Sequence, residues 1–238
     1  MPLVKQILTL HHKQTIMEAT KKGPAKKIVI DDNAIISMYM DYALEHNQEP
    51  QNVFLFCKNN KITESDFYSF FGSLESVKKQ IWTRFLQNAI ATCEKSEDFA
   101  GYNEKNKLLT LYFTLFEILT LNRSYVLFSL NQNKEGIKGL KAFKDFRTAF
   151  KDFIETIIDG TISDKSERLS RITKPVFEEG AWIQFMLLLK FWTADESKGF
   201  EKTDVLIEKS VNTVVDLLDT KPLESLFDLG KFLWKENR

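Results

Sequence analysis

The sequence predicts an all-α protein, in which three short helices and a long fourth one precede a domain of longer helices. Three observations carry that expectation. Glycine (9) and proline (5) are scarce among 238 residues, so few positions force a turn. Apolar residues recur at steps of three and four almost throughout, the period of a helix with one buried face. With 43 % apolar and 28 % charged residues, the chain has enough apolar surface for a packed core. Its length fits one large domain or two modest ones.

Residues 1–30 read as a flexible basic arm. Lys5, Lys13, Lys21, Lys22, Lys26 and Lys27 face only Glu18 there, a net charge of +5. The Lys21–Lys27 run is too poor in apolar residues to pack. Met17 is an alternative natural start that would shorten this arm. A head is expected over 31–78. Asp31 or Asp32 can cap its first helix, in which Ile35, Tyr39, Tyr42 and Ala43 share a face. Pro50 suits the first turn of a short second helix ending at Cys57, and Asn59-Asn60-Lys61 reads as a turn. Thr63-Glu64-Ser65-Asp66 has the capping-box form, in which each end residue satisfies a free backbone donor. Gly72 ends that third helix, and Ser73 caps a long fourth one carrying Val77, Ile81 and Phe85.

A domain of longer, more apolar helices is expected over 79–238. Leu108–Leu121 is apolar apart from a stripe of Thr110, Thr114, Glu117 and Thr120, as in a central buried helix. Another helix runs from Tyr125 to Leu130. Phe143, Phe146, Phe150, Phe153 and Ile157 give the next helix an aromatic face opposite Lys144, Lys151 and Glu155. Residues 159–175 read as a charged loop, followed by a helix around Trp182–Trp192. Ile207, Val211, Val214, Val215 and Leu218 define a further amphipathic helix. Pro222 opens a last one with Leu226, Phe227, Leu233 and Trp234 grouped together.

Several function classes lose ground on composition. Lysine plus arginine (33) cancels aspartate plus glutamate (33), so contact with nucleic acid has to come from a local patch. Cys57 and Cys93 form no CxxC pair, which favours a reducing compartment. His11, His12 and His46 stand in no ExxH or HExxH pattern, so no metal site is expected. No nucleophile–base–acid set or glycine-rich phosphate loop is visible, and neither an enzyme nor a cofactor is expected. Ala181–Ala194, interrupted by Gln184 and Lys190, is too short to span a bilayer. Residues 1–30 lack the apolar segment of a signal peptide. A cytoplasmic, soluble protein is expected. Membrane contact through Leu223–Trp234 is not, because only Lys231 and Lys235 flank that segment and a docked terminal helix suits it better.

The run from Ile62 to Val77 resembles the helix-turn-helix motif of TetR/AcrR regulators. Ile62, Thr63, Phe67, Tyr68, Phe71, Ser73, Glu75 and Val77 all fit that pattern, an aromatic pair followed at a fixed offset by a capped long helix. Gly199–Ser210 is similar to the ligand domain of a TetR subgroup. The resemblance implies an all-α, TetR-like fold, with a three-helix DNA-reading head at 31–78 joined by a long fourth helix to an antiparallel helical ligand-binding and dimerisation domain at 79–238. It implies DNA contacts from Lys61, Thr63, Glu64, Ser65, Asp66, Tyr68 and Ser69. Of these, Tyr68 and Thr63 would meet phosphates, and the carboxylates would accept from cytosine amino groups. A small apolar or lipid-like ligand would be lined by Tyr112, Phe116, Glu117, Tyr125, Phe128, Phe146, Phe150, Trp182, Phe185 and Met186. Glu117 would hold its polar end, unless it is a paired structural carboxylate. Trp192, Ile207, Val211, Val214, Val215 and Leu218 would form a homodimer interface that spaces two heads.

The head also departs from the family pattern. Leu74 stands where a phosphate-binding lysine is common. Lys61 replaces the turn glycine, so Asn60 is expected to take the left-handed conformation. Residues 31–85 hold five basic groups (Lys58, Lys61, Lys78, Lys79, Arg84) against eight acidic ones (Asp31, Asp32, Asp41, Glu45, Glu49, Glu64, Asp66, Glu75), a net charge of −3. Phosphate neutralisation supplies most affinity for DNA. The sequence therefore leaves two functions open. One is a ligand-responsive dimeric transcriptional regulator whose basic arm offsets the head by reaching into a minor groove. The other is a TetR-fold lipid-binding protein that has lost DNA binding, similar to the lipid-binding protein of coenzyme Q biosynthesis.

Overall fold

The computed structural model describes residues 30–131, 143–162 and 167–219. Among them it contains α1 (Asp32–His46), α2 (Val53–Asn60), α3 (Glu64–Tyr68), α4 (Leu74–Glu94), α5 (Glu104–Leu121), α6 (Arg123–Asn131), α7 (Phe143–Ile162), α8 (Glu167–Thr193) and α9 (Glu201–Asp219). Short 3₁₀ turns at Phe99–Gly101 and Lys198–Phe200 precede α5 and α9, and no strand occurs among the described residues. The all-α expectation holds. The basic arm and the helix expected after Pro222 lie outside the described residues.

Local chemistry sets most helix starts. The Asp31 carboxylate, rather than that of Asp32, accepts from Ala34 N at 2.7 Å and caps α1. Asn52 caps α2 by accepting from Leu55 N at 2.8 Å, so Pro50 lies before this helix rather than in its first turn. Thr63 and Asp66 close the expected box, with Asp66 N donating to Thr63 Oγ1 and Thr63 N donating to Asp66 Oδ2, each at 3.0 Å. Ser73 caps α4 in the same reciprocal way with Ser76, at 3.1 and 3.2 Å. Such caps satisfy backbone donors that have no partner inside the helix. Ser73→Ala is expected to lower stability by about 1 kcal/mol, read from the midpoint of urea unfolding.

Two expectations about loops fail. The helix α2 continues to Asn60, and Lys61 itself takes the left-handed conformation with φ 57°. The Asn60 side chain instead donates to the Phe56 carbonyl at 2.9 Å. The charged loop expected over 159–175 is largely helix, since α7 runs to Ile162 and α8 starts at Glu167. Glutamate, arginine, lysine and leucine are all good helix formers, and charge density alone does not break a helix. Pro175 lies inside α8 on an exposed position.

Packing then arranges the elements. The helix α4 has 21 residues, about 30 Å at the usual rise, and runs from the head into the large domain. It packs on α5 and α7, while α7 packs on α8, and α9 lies against α5 and α8. The head touches this body through α1, which contacts α4 and α6. Trp82 is the hinge of the core: fully buried, it meets Phe85, Phe143 and Phe146 with centroids 5.9, 4.5 and 6.1 Å away. Its indole N–H donates to Ser129 Oγ of α6 at 3.2 Å. A buried indole needs that partner as much as it needs its neighbours.

Candidate functional site

Three features of the described residues can do chemistry or recognition: the face of α3, the aromatic centre of the large domain, and the α8–α9 face. In the head, Phe67 is fully buried and meets Phe56 edge-on at 5.9 Å, which fixes α3 against α2. Glu64, Ser65 and Tyr68 point outward, as does Lys61 from the preceding turn. The other expected contact groups are already engaged locally. Asp66 takes both the N–H and the hydroxyl of Thr63, and these bonds hold its carboxyl below the ordinary carboxylate range. The Ser69 hydroxyl donates to the Ser65 carbonyl at 2.8 Å. Glu64, Ser65 and Tyr68 are the exposed side chains of α3 without such a local side-chain bond among the described residues.

Two of the five head cations are spent inside the chain. Lys78 pairs with Glu75 at 2.7 Å and with Glu49 at 3.1 Å, and Arg84 pairs with Asp32. Among the described residues, that leaves Lys58, Lys61 and Lys79 to meet an external anion. Where α1 meets α6, Tyr39 and Tyr125 are both buried, and the Tyr39 hydroxyl has no hydrogen-bond partner among the described residues.

The residues expected to line a ligand cavity divide into groups. Phe146, Phe150, Trp182 and Phe185 form one closed cluster from α7 and α8, with centroid separations of 5.1–6.1 Å. Tyr112 and Phe116 of α5 join it through Phe150 and Phe185, at 6.2 and 6.1 Å. At such separations the rings are in contact, so the space between them is filled by packing. Met186 is half-buried against the same core. Tyr125 and Phe128 lie together on α6, on the side that meets the head. Glu117 is solvent-exposed; the buried member of its polar stripe is Thr114. A polar line crosses the centre nonetheless. Tyr112 Oη lies 3.0 Å from the Ala181 carbonyl and 3.2 Å from Gln184 Oε1, and Gln184 Nε2 donates to Ser210 Oγ at 2.9 Å. It ties α5, α8 and α9 together.

The expected interface residues are mostly internal. Trp192, Ile207 and Val211 are fully buried within one protomer, whereas Val214 and Val215 are half-buried. The side chain of Leu218 lies outside the described residues. A fully buried side chain has no surface left to give a partner. On α8, Val176, Ile183, Leu187 and Phe191 are 40–63 % exposed and follow one another at steps of seven, four and four. Gly180 is exposed between the first two, and Val205 of α9 is half exposed. These form an apolar stripe along one face. The periodicity of Ala181–Phe191 could not reveal it, because that segment is apolar on all sides.

Two further features had no sequence signal. An open cleft of about 330 Å³ lies where the end of α4 meets α5 and α7, lined by Glu94, Glu97, Phe99, Lys107, Phe153 and Ile157. At the α8–α9 corner, the buried Asp195 carboxylate accepts from the N–H and hydroxyl of Ser197 at 2.9 and 2.6 Å. It also accepts from the N–H and hydroxyl of Thr203 at 2.9 and 2.6 Å. Burial works to raise its pKa, but these four donors outweigh burial and hold the carboxyl far below the ordinary range. Among the described residues, no group of histidine, cysteine, aspartate and glutamate is placed to hold a metal ion, and no helix is long and apolar enough to cross a membrane.

Comparison with known proteins adds one finding. Residues 107–233, more than half of the chain, match the family described as tetracyclin repressor-like, C-terminal domain. No curated protein matches the chain.

Proposed function

The chain belongs to the tetracyclin repressor-like family, and from that premise we propose that it is a dimeric, ligand-responsive transcriptional regulator. The reading divides it into a DNA-reading helix-turn-helix head at 31–78, preceded by the basic arm at 1–30, and a ligand and dimerisation domain at 79–238. The observation that carries it is the geometry of α2–α4. A capped recognition helix is held at a fixed angle by Phe56 and Phe67 and presents Glu64, Ser65 and Tyr68 outward. A second copy docked on the α8 stripe would set the distance between two such heads, and a two-fold pair of heads suits a palindromic site.

In this reading Tyr68 and Lys61 meet phosphate, while Glu64 and Ser65 face base edges. Thr63, Asp66 and Ser69 support the helix through the bonds described above. The ligand is small and apolar or lipid-like, and it enters among Tyr112, Phe116, Phe146, Phe150, Trp182, Phe185 and Met186 by displacing ring contacts. Such an exchange shifts the balance between two packings only as far as the ligand prefers one of them.

Fluorescence anisotropy with DNA from the gene's own upstream region tests the proposal, against scrambled DNA of the same length. The expected result is at least about 10³-fold preference for the upstream DNA, the lower end for specific regulators. Equal weak binding to both would overturn it. The lipid-binding function would then be examined by mass spectrometry of lipid carried by the purified protein.

A further inference from the structure

The first turn of α6 is anchored at a point outside both the head and the aromatic centre. Arg123 donates to the carbonyls of Trp192 and Thr193 at 3.0 and 3.1 Å. Its guanidinium carbon lies 4.3 Å from the ring centroid of Trp192 and 4.5 Å from that of Phe200. Both carbonyls lie in the last turn of α8, and that of Trp192 also accepts from Asp195 N at 3.2 Å. The residue before Trp192 is Phe191, the last member of the exposed apolar stripe. Two residues after Arg123, Tyr125 is buried where α6 meets α1. Six residues after it, Ser129 accepts from the Trp82 indole. One short helix therefore joins the end of the stripe to the seat of the head.

We propose that Arg123 is a positioning residue through which a second copy on the α8 stripe controls how firmly α1 is seated. The inference rests on the dimer reading above. With Phe191 covered, the last turn of α8 cannot fray, so the two carbonyls stay aimed at Arg123 and α6 is held. With Phe191 exposed to water, that turn opens more often, and α6 loses its anchor. The seat of α1 is sensitive to this loss because it already buries the Tyr39 hydroxyl without a partner, an arrangement that favours release. The covered and uncovered states differ in the stability of the α1 seat, and the coupling is reciprocal by linkage.

Hydrogen exchange of α1, followed by mass spectrometry across a dilution series, tests the proposal together with sedimentation of the same samples. In the wild-type protein, α1 is expected to exchange about tenfold faster in the monomer than in the dimer, a local-opening effect. In Arg123→Gln, α1 exchange should be fast at every concentration. The variant should still dimerise, with affinity reduced by no more than about the same tenfold factor. An Arg123→Gln dimer with wild-type protection of α1 would overturn the coupling, as would wild-type exchange that ignores dissociation. Absence of a dimer at all concentrations would instead remove the dimer reading, and this inference with it. Tyr39→Phe keeps the test usable should Arg123→Gln not fold. It removes the unpartnered hydroxyl, so it should slow α1 exchange in the monomer, and unchanged or faster exchange would contradict the proposed seat.

Discussion

Leu187→Glu is expected to turn the proposed dimer into a monomer without weakening the protomer. The side chain is 63 % exposed in the isolated chain and lies midway along the α8 stripe. Covering a leucine contributes about 1.5–3 kcal/mol, and a two-fold interface counts the position twice. A carboxylate placed there would also be desolvated without a partner. The sum corresponds to a loss of association of about 10²–10⁴-fold, read directly by sedimentation. Because the residue contributes little inside the protomer, stability of the monomer should stay within about 0.5 kcal/mol. Trp192→Ala is the contrasting variant. That residue is fully buried, meets Phe116 at 6.2 Å and donates to Thr120 Oγ1 at 3.1 Å. Its removal should cost the protomer about 3–5 kcal/mol. A Leu187→Glu dimer of unchanged affinity would show that the stripe is not the interface.

Asp195→Ala is expected to cost about 3–5 kcal/mol, because two backbone donors lose their partner and two charge-assisted bonds disappear. Without the carboxylate, Ser197 N–H and Thr203 N–H have no acceptor at the corner that positions α9. The effect also has a defined pH dependence. The folded carboxyl titrates far below its unfolded counterpart, which ionises near the ordinary aspartate value of about 3.9. The stabilisation is therefore complete above about pH 5 and shrinks as pH falls through 4 toward the folded value. The gap in unfolding free energy between wild type and Asp195→Ala should narrow by about 1 kcal/mol per pH unit below pH 4. Urea unfolding at pH 7, 5 and 3 checks this, and a gap independent of pH would contradict the corner geometry.

The parts of the fold written locally were legible in the sequence. Asp31, Thr63 with Asp66, and Ser73 mark helix starts because a cap needs only four consecutive positions and a short polar side chain. The apolar steps of α4, α5 and α7 gave their buried faces for a similar reason. What failed was also local, and residue type alone misjudged it. Lys61 takes the left-handed conformation although Asn60 is the better residue for it, because the Asn60 amide is engaged with Phe56. The segment 159–175 looked like a loop because its charges were weighed and its helix propensity was not.

The candidate site was read less well than the fold, for a physical reason. Trp192, Ile207 and Val211 have the right chemistry for an interface, but α8 is apolar on several sides and only packing decides which side faces inward. Glu117 shared a polar stripe with Thr114, yet a three-residue step rotates it into solvent while Thr114 is buried. Thr63 and Asp66 were expected to touch DNA, and the same capping box that made them visible engages Thr63 Oγ1 and Asp66 Oδ2. Arg123 and Asp195 carried no signal at all. Their partners lie about 70 residues away or turn on hydroxyls that are common in any loop.

The central claim is that a dimer of acidic heads still binds DNA, and a salt series of anisotropy titrations on the upstream DNA tests it most directly. Three free cations per head give about six phosphate contacts per dimer. The expected slope of log K against log salt is thus about −5, steeper if the basic arm contributes. Leu187→Glu should reduce both the affinity and the slope, since single heads bind alone. A slope near zero, or no binding at low salt, would contradict the account and leave the helix-turn-helix as a scaffold without a reading function.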